Sequence, residues 1–376
     1  MMKKNTMKAA LLLLGGCGMA VLLLWQYRAA AEGAKAGLAA CGNVLIPALF
    51  PFLALSVIIG GSSAGKILSA PVGVLGKLLY GAPKRLGAAI LLSWIGGYPA
   101  GAKVLAEQLE HGDITPQDAE KALCFCVNSG PAFMTGVVGG AVFGSATVGL
   151  GIFGCQLVAG VLTARLMLWK TPFATELPHL PKHMEEPFAS LLVRAVTGAS
   201  ASMIAMCAFV VFFTTLTAVL QACGVLGAVA GVLSTITGGI LTVEGAQCLL
   251  AGLLEICGGS AAAVSLIPRQ AALVLPFLLS FSSLSVICQV SACFPAGCVP
   301  LGRFFRSRLL HGLLTQALAL PWLWPLTDTT QTFASGKNVF YGDASTAVGT
   351  LCLLGMCSIL FLTLEYGAAG GRHRPG

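Results

Sequence analysis

A run of helix-breaking residues and one lysine interrupts an apolar stretch about a quarter of the way along the sequence. Residues 91–104 begin as the apolar run LLSWI and break at Gly97. Tyr98 and Pro99 follow, and Lys103 lies about two helical turns further on. A helix that restarts after such a break presents free backbone N–H groups and the positive end of its dipole, which favour anions. These four residues therefore predict an anion-binding site.

Lys103 and Tyr98 each allow two interpretations. Lys103 either adds a full positive charge to the predicted site or extends along apolar surface to the membrane interface. Tyr98 either stacks on an aromatic solute or packs against neighbouring helices, as aromatic residues in membrane segments commonly do. The sequence leaves both pairs of alternatives open.

A second interrupted stretch, CFCVNSGPAFM at 124–134, contains Asn128, Ser129 and Pro131. Proline lacks a backbone N–H and frees carbonyl groups upstream in a helix. The amide of Asn128 and the hydroxyl of Ser129 either bind substrate at this break or satisfy the backbone groups that the break exposes. We include both residues among the candidate substrate-binding residues.

The second half of the chain repeats this pattern. Residues 253–259 (LLEICGG) parallel 91–97 (LLSWIGG), and small residues follow both runs. The glycine pair that ends in Gly259, with Ser260 after it, is therefore the predicted counterpart of the first break. A second interrupted stretch, SFSSLSVICQV at 280–290, corresponds to 124–134.

Three polar residues in 280–290 are candidates for substrate contact. Ser282 and Ser283 lie where the helix is expected to break. Gln289 carries an amide that both donates and accepts, which suits a carboxylate or a ring nitrogen. The alternative for Gln289 is a hydrogen bond between helices, a common use of glutamine in membranes.

Glu255 is an acidic residue inside the apolar run 253–257. An ionisable group within a membrane segment is costly and is usually functional. Glu255 is therefore the candidate for carrying a coupling proton. If Glu255 lies near the outer surface instead, its charge does not indicate a role in proton coupling.

Composition places the chain in the membrane. It has 376 residues, of which 56% are hydrophobic and only 10% are charged, and its mean hydropathy is +0.87. Soluble domains contain about 25% charged residues, so this chain could not cover a surface that faces water. Its net charge of +8 sits in short loops, which indicates membrane topology rather than nucleic-acid binding. No nucleophile–base pair, HExxH motif or metal-ligand spacing occurs, so we expect no enzymatic activity, cofactor or metal.

Hydropathy and charge predict an all-α polytopic protein with both termini in the cytoplasm. The apolar segments are 9–25, 37–60, 86–104, 122–143, 146–168, 195–222, 225–243, 247–266, 271–301, 309–326 and 346–365. Basic residues, including Arg308, mark the inner face. The polar stretch 107–121 is expected to be a solvated loop that ends at a helix capped by Thr115.

The two halves then have opposite orientations in the membrane. The expected units are 1–36, a retained N-terminal transmembrane helix; 37–169, the first inverted repeat; 170–190, a cytoplasmic linker; 191–326, the second repeat; and 327–376, an outer loop and C-terminal transmembrane helix. Each repeat is expected to hold a re-entrant hairpin and a broken transmembrane helix. Paired broken segments of this kind point to a secondary transporter with its site at the midplane.

The motifs WIGGYPAGAKV, NSGPAF and SFSSLSVICQV resemble those of sporulation integral membrane proteins of the YlbJ type, within the wider nucleoside-recognition, or Gate, domain group. The resemblance covers roughly residues 37–326. It implies movement of dipicolinic acid across the outer forespore membrane during endospore formation. Where the family leads us to expect a glycine pair, this chain has Ser282 and Ser283.

Three functions are therefore open. The first is transport of a small anion, with dipicolinate as the leading case. The second is transport of a nucleoside, nucleobase or other small metabolite, for which amide and hydroxyl contacts would matter more than positive charge. The third is a sporulation membrane scaffold that transports nothing. The expected partners are the solute, the lipid bilayer and, because Gly-rich helices allow close packing, a second copy in a homodimer.

Overall fold

The computed structural model describes residues 2–61, 63–174 and 187–327, and all regular structure in these ranges is helical. Three helices are long and apolar enough to cross a membrane: Ala146–Leu168, Ala189–Ala222 and Pro268–Ala292. The pair Leu13–Trp25 and Tyr27–Leu45, bent by 94°, gives a fourth span if it is counted as one. The expectation of an all-α polytopic membrane protein is confirmed at this level. The predicted segment 346–365 and most of the linker 170–190 lie outside the described residues.

The first half is a succession of long and interrupted helices. Its elements are α1 (Met2–Trp25), α2 (Tyr27–Ala40), a π-helical turn (Cys41–Leu45), α3 (Ile46–Gly61), α4 (Ser63–Tyr80), a 3₁₀ turn (Lys84–Leu86), α5 (Gly87–Ile95), α6 (Tyr98–Glu110), α7 (Pro116–Leu123), α8 (Pro131–Phe133), which continues as a π-helix (Met134–Val142), and α9 (Ala146–Leu168).

The second half repeats the order from α3 to α9. Its elements are α10 (Phe188–Ala222), α11 (Val225–Ile236), α12 (Val243–Leu254), α13 (Ile256–Ala263), α14 (Pro268–Phe281), α15 (Leu284–Ala292) and α16 (Gly302–Leu326). In each half a first helix is followed by a second, a helix pair, an interrupted helix and a long final helix. The opposite membrane orientation of the halves remains a prediction from charge.

Helices α5 and α6 form an antiparallel pair that turns at Gly96-Gly97, as the sequence predicts. Gly101 on α6 lies against α5, where an added Cβ would come within 2.7 Å of the Ser93 Cβ. Only glycine allows the two helices to approach so closely. This pairing places the start of α6 at the turn of the hairpin.

The corresponding turn in the second half lies four residues earlier than predicted. Helix α12 ends at Leu254, and Glu255 is extended, with φ −147° and ψ 122°. The pair Gly258-Gly259, predicted to form the break, lies inside α13. The physical reason is packing, because an added Cβ on Gly259 would collide with the backbone of Gly252 on α12. The acidic residue itself therefore forms the turn.

Both predicted interrupted helices are confirmed. Residues 124–130 between α7 and α8 form no regular helix. Between α14 and α15, Ser282 and Ser283 have φ values of 77° and 49°. These are the two non-glycine residues with positive φ in the described part of the chain. Two small polar residues thus make the break where a glycine pair was expected.

The expectation of a solvated loop at 107–121 is wrong in part. Thr115 does cap α7, accepting a hydrogen bond from the Asp118 N–H at 3.1 Å. However, Asp118 is fully buried and pairs with Arg85 at 3.1 Å and with Lys121 at 3.3 Å. Its carboxylate also accepts the Ala174 N–H, so it ties the end of the first half to α7. The end of this polar stretch is a packed ion-pair cluster, whereas Glu110 and Asp113 are exposed.

Candidate functional site

A central cavity lies where interrupted segments of the two halves meet. Its walls include the turn at Gly97, the residues Ser129 and Gly130 before α8, the turn at Glu255, and Gln289 on α15. The cavity volume is about 50 Å³, which leaves room for about four water molecules. A pyridine ring with two carboxylates needs more space, so binding such a solute requires the walls to move apart.

Two glycines form the first-half wall of this cavity. An added Cβ on Gly130 would lie 3.2 Å from the Gly97 Cα, so the two backbones are in contact. Gly97 has φ +81° and ψ −173°, a conformation that is essentially restricted to glycine. No side chain caps α6, and Pro99 lies in its first turn. The N-terminus of α6 therefore reaches the cavity wall without a side-chain acceptor.

Tyr98 lines the cavity and links the two halves. Its hydroxyl donates to the Leu279 carbonyl at 2.7 Å. This carbonyl lies near the end of α14, where the helix breaks and leaves carbonyl groups without intrahelical partners. The first hairpin is thereby fastened to the interrupted helix of the second half.

The structure separates Asn128 from Ser129. The Asn128 Nδ2 donates to the Phe125 carbonyl at 2.9 Å and to the Ser93 hydroxyl at 3.4 Å. Asn128 thus satisfies the broken backbone and does not line the central cavity. Ser129 does line it, and its fully buried hydroxyl lies beside the Tyr98 side chain but makes no hydrogen bond of normal geometry within the described residues.

Glu255 contributes the acidic side chain of the cavity. It is 1% exposed, and its Oε2 accepts the Gly258 N–H at 2.6 Å, which caps α13. Within the described part of the chain its Oε1 makes no hydrogen bond of normal geometry, and the Cys257 thiol lies beside the carboxylate. The location is therefore buried, which fits the coupling alternative better than the surface alternative for this residue.

Glu255 also lines a second, larger cavity, which we call the vestibule. Its volume is about 540 Å³, and Glu32, Glu244, Thr214 and Gln221 are among its walls. Among the described residues, no three His, Cys, Asp or Glu side chains gather closely enough to hold a metal ion. The vestibule is wide and has acidic residues on its walls. The buried carboxylate of Glu255 lies between it and the central cavity.

Gln289 connects the central cavity to a third cavity, here called the inner cavity. Its Nε2 donates to the Ser285 hydroxyl at 3.1 Å. Gln289 and Pro99 line both cavities, and Lys103 lines only the inner one, whose volume is about 90 Å³. Lys103 acts electrostatically on Glu107, one turn along α6. The structure therefore does not bring Lys103 to the same cavity as Ser129.

Four other predicted site residues lie outside the central cavity. Gly259 packs α13 against α12, and Ser260 is fully buried with an unpartnered hydroxyl. The Ser282 hydroxyl donates to the Ser280 carbonyl at 3.3 Å. The Ser283 hydroxyl accepts the Val286 N–H at 3.3 Å and caps α15. The two serines shape the break, and the structure gives them no place on the cavity wall.

The three cavities follow one another along α10. Ser202 and Phe209 line the inner cavity, Val210 lines the central cavity, and residues from Thr214 to Gln221 line the vestibule. Ser202 and Gln221 are separated by roughly 28 Å at 1.5 Å per residue. This length is close to the thickness of the hydrocarbon core of a bilayer.

Sequence reasoning missed a buried polar stripe on α16. Arg308, His311 and Thr315 are all fully buried. Arg308 was predicted to be one of the basic residues that mark the inner face, whereas it lies within α16 with its side chain fully buried. A spacing of three and then four residues in an otherwise apolar helix was the available signal.

The stripe contacts both interrupted helices. Arg308 donates to the carbonyls of Val127 at 2.7 Å and Cys124 at 2.6 Å. The His311 Nε2 lies 2.9 Å from the Gln156 carbonyl, and Thr315 donates to the Ser280 hydroxyl at 2.7 Å. Helix α16 therefore braces the irregular segment 124–130 and the end of α14.

The chain is similar to a curated bacterial protein over most of its length. It is 27% identical over 379 residues to the sporulation integral membrane protein YlbJ of Bacillus subtilis (strain 168). The matched region covers 89% of this chain and 91% of the relative. No protein-family model matches the chain. No solved structure matches it either.

Proposed function

Because the chain is a sporulation integral membrane protein of the YlbJ type, we propose that it is a transporter for a small anionic solute, with dipicolinate as the leading case. The proposed location is the outer forespore membrane, with both termini in the cytoplasm. The dianion cannot cross a bilayer unaided, because moving a charge into hydrocarbon is very costly. A sporulation membrane would therefore need a protein to carry it.

The observation that carries this proposal is the series of cavities along α10. A wide vestibule, a small central cavity and a small inner cavity follow one another over about the thickness of a bilayer. Backbone breaks from both halves meet at the central one. Irregular backbone at membrane depth is tolerated where it is buried in protein or lines a water-filled cavity, and transporter sites are commonly built there.

The first-half wall supports an anion as the solute. The uncapped N-terminus of α6 at Gly97 and the buried hydroxyl of Ser129 offer donors to a carboxylate. Lys103 lies next along the route and would attract the anion toward the inner cavity. The central cavity would thus bind the solute first, and Lys103 would then attract the anion as it moves into the inner cavity.

Glu255 would carry the coupling proton. An ionised carboxylate on the cavity wall opposes entry of an anion, whereas its protonated form is neutral and can donate a hydrogen bond to one. Protonation from the vestibule would then accompany solute binding. The transport of anion and proton would be linked through this one side chain.

Nucleoside transport is the second candidate. It is favoured by the amide of Gln289, the hydroxyl of Ser129 and the carboxylate of Glu255, all on the central wall. Hydroxyl groups of a ribose could bind such residues without any net positive charge. Competition between the two solutes separates the candidates.

The test is flux into proteoliposomes that contain the purified protein. We expect saturable uptake of dipicolinate that excess uridine does not inhibit. Uridine uptake with no dipicolinate uptake would favour the nucleoside candidate. Uptake of neither solute, with and without an imposed proton gradient, would contradict both and favour the scaffold.

One pair of variants tests the site itself. Ser129→Ala removes the buried hydroxyl and should raise the KM for dipicolinate several-fold without lowering the yield of folded protein. The matched control is Ser200→Ala, because Ser200 is also fully buried but bonds the Val196 carbonyl at 2.8 Å and lines none of the three cavities. Equal effects of the two substitutions would remove Ser129 from the site.

A further inference from the structure

Arg308 carries a positive charge into the centre of the protein. It lies on α16 and is fully buried. Its guanidinium donates to the carbonyls of Val127 and Cys124 at 2.7 and 2.6 Å, and to the Leu123 carbonyl at 3.5 Å. These carbonyls belong to the end of α7 and the irregular segment after it, where the helix leaves acceptors free.

No carboxylate forms an ion pair with Arg308 within the described ranges. Glu120 on α7 pairs with Arg303, one turn before Arg308, at 3.6 Å. Carbonyl groups satisfy the N–H donors of the guanidinium but do not cancel its charge. A buried charge without a counter-ion is expensive, and one at membrane depth is usually functional.

The position of this charge is behind the first-half wall of the central cavity. Val127 precedes Ser129 by two residues, and Ser129 lines the cavity. The segment that Arg308 holds therefore forms part of the cavity wall, and Glu255 brings a buried carboxylate to the same wall.

We propose that Arg308 is the positioning residue that gives the central cavity its preference for anions, acting through its fixed charge and through the segment that it holds. This inference rests on the proposed transport function. The guanidinium does not touch the solute. It shapes the Ser129–Gly130 wall and offsets the charge of Glu255, so that a carboxylate is favoured there over a neutral group of the same shape.

The test compares two solutes of similar shape and different charge: dipicolinate and its neutral dicarboxamide, pyridine-2,6-dicarboxamide. Uptake of each into proteoliposomes gives a flux ratio for every variant. We expect Arg308→Gln to lower the dipicolinate-to-dicarboxamide ratio by about tenfold or more, because a buried unit charge attracts an anion strongly across the low-dielectric interior. Arg308→Lys should lower both fluxes but keep most of the ratio.

Three further variants separate charge from folding. Cys124→Asp places a carboxylate beside the intact arginine and should lower the ratio as Arg308→Gln does, whereas Cys124→Asn should not. Arg306→Gln is the matched control, because it removes the same charge from an exposed position on α16. It should leave the ratio unchanged.

The outcomes distinguish this inference from the function on which it rests. If the unaltered protein transports dipicolinate and the ratio survives both Arg308→Gln and Cys124→Asp, the role of Arg308 is overturned and transport stands. If Arg308→Gln yields no folded protein, the ratio in Cys124→Asp decides the matter. If the unaltered protein transports neither solute, the proposed function fails and the inference fails with it.

Discussion

The two halves of the molecule interrupt their helices by different chemical means. In the first half the residue before each restarted helix is a glycine, Gly97 before α6 and Gly130 before α8, and neither helix has a side-chain cap. In the second half the corresponding residues are Glu255 and Ser283, and each side chain caps the helix that follows it. The same order of elements is thus built with bare backbone in one half and with polar side chains in the other.

This difference makes the central cavity asymmetric. A symmetric site, with each hairpin turn receiving one carboxylate of a dianion, would need free N–H groups at both turns. At the second turn the Glu255 carboxylate already accepts the Gly258 N–H and brings a negative charge. The helix N-terminus available to an anion is therefore on the first-half side, at α6, and the second half supplies the titratable group.

Each half also satisfies the break of the other. Tyr98 of the first half donates to the Leu279 carbonyl before the Ser282 break, and Arg308 of the second half donates to carbonyls in 124–130. Breaking either contact would leave buried carbonyl groups without partners, at a cost of about 1–3 kcal/mol each. The halves are therefore coupled at the places where their backbones are least regular.

The largest expected effect comes from testing the two turns with the same substitution. Gly97→Ala forces a side chain into a conformation that only glycine adopts readily, at a cost of about 1–3 kcal/mol, and brings its Cβ within 3.1 Å of Leu49. Gly258→Ala meets only ordinary contacts at 3.5 and 3.8 Å and lies within a helix. We expect the first to abolish uptake and lower the midpoint of thermal unfolding, and the second to leave both nearly unchanged.

Equal damage from Gly97→Ala and Gly258→Ala would contradict the comparison. It would mean that the second hairpin turns at its glycine pair, as the sequence alone had indicated. Thermal unfolding in detergent and dipicolinate uptake, measured on the same preparations, decide between the two placements of the turn.

A smaller and more specific effect is expected at Glu255. Glu255→Gln keeps an oxygen that can accept the Gly258 N–H but removes the proton-carrying group. Uptake should no longer be stimulated by an imposed proton gradient, whereas exchange of labelled for unlabelled dipicolinate should persist. Glu255→Ala also removes the cap, which costs about 1 kcal/mol, so its thermal stability should fall below that of Glu255→Gln.

Uptake by Glu255→Gln that is still driven by a proton gradient would show that this residue does not couple transport. If Glu255→Gln and Glu255→Ala are equally stable, the capping contact contributes little. The second half would then differ from the first in charge alone.

The general architecture could be predicted from the sequence because it rests on periodic and compositional signals. Apolar length indicated an all-helical polytopic membrane protein, although only three or four of the predicted segments in the described part of the chain are helices long enough to span. Glycine with proline indicated the turn at Gly96-Gly97. The breaks at 124–130 and 282–283 were also predicted, since helix-breaking or small polar residues interrupt apolar runs there. Six of the candidate site residues line the central cavity: Gly97, Tyr98, Pro99, Ser129, Glu255 and Gln289.

Two features could not be predicted because they depend on contacts between distant segments. The sequence parallel between 91–97 and 253–259 suggested a turn at Gly258-Gly259, but close packing against Gly252 draws the pair into α13. Arg308 resembled the loop arginines around it, and only its contact with 124–130, more than 180 residues away, distinguishes it. Charge patterns predict which side of the membrane a loop faces. They do not predict which arginine donates hydrogen bonds to the free carbonyl groups of an interrupted helix.

The smallest expected effect tests whether the serines of the second half serve geometry or chemistry. Ser282 has φ 77° and ψ 21°, a left-handed conformation that glycine adopts at lower cost. Ser282→Gly should therefore raise the stability by about 0.5 kcal/mol, after the added flexibility of the unfolded chain is subtracted. Ser283→Ala loses the cap of α15 and should lower stability by about 1 kcal/mol. Opposite shifts of the two unfolding midpoints, with dipicolinate uptake retained in Ser282→Gly, are the expected result. A loss of uptake in a stable Ser282→Gly protein would instead give that hydroxyl a role in transport, and the second half would then supply more than a capped helix and one carboxylate.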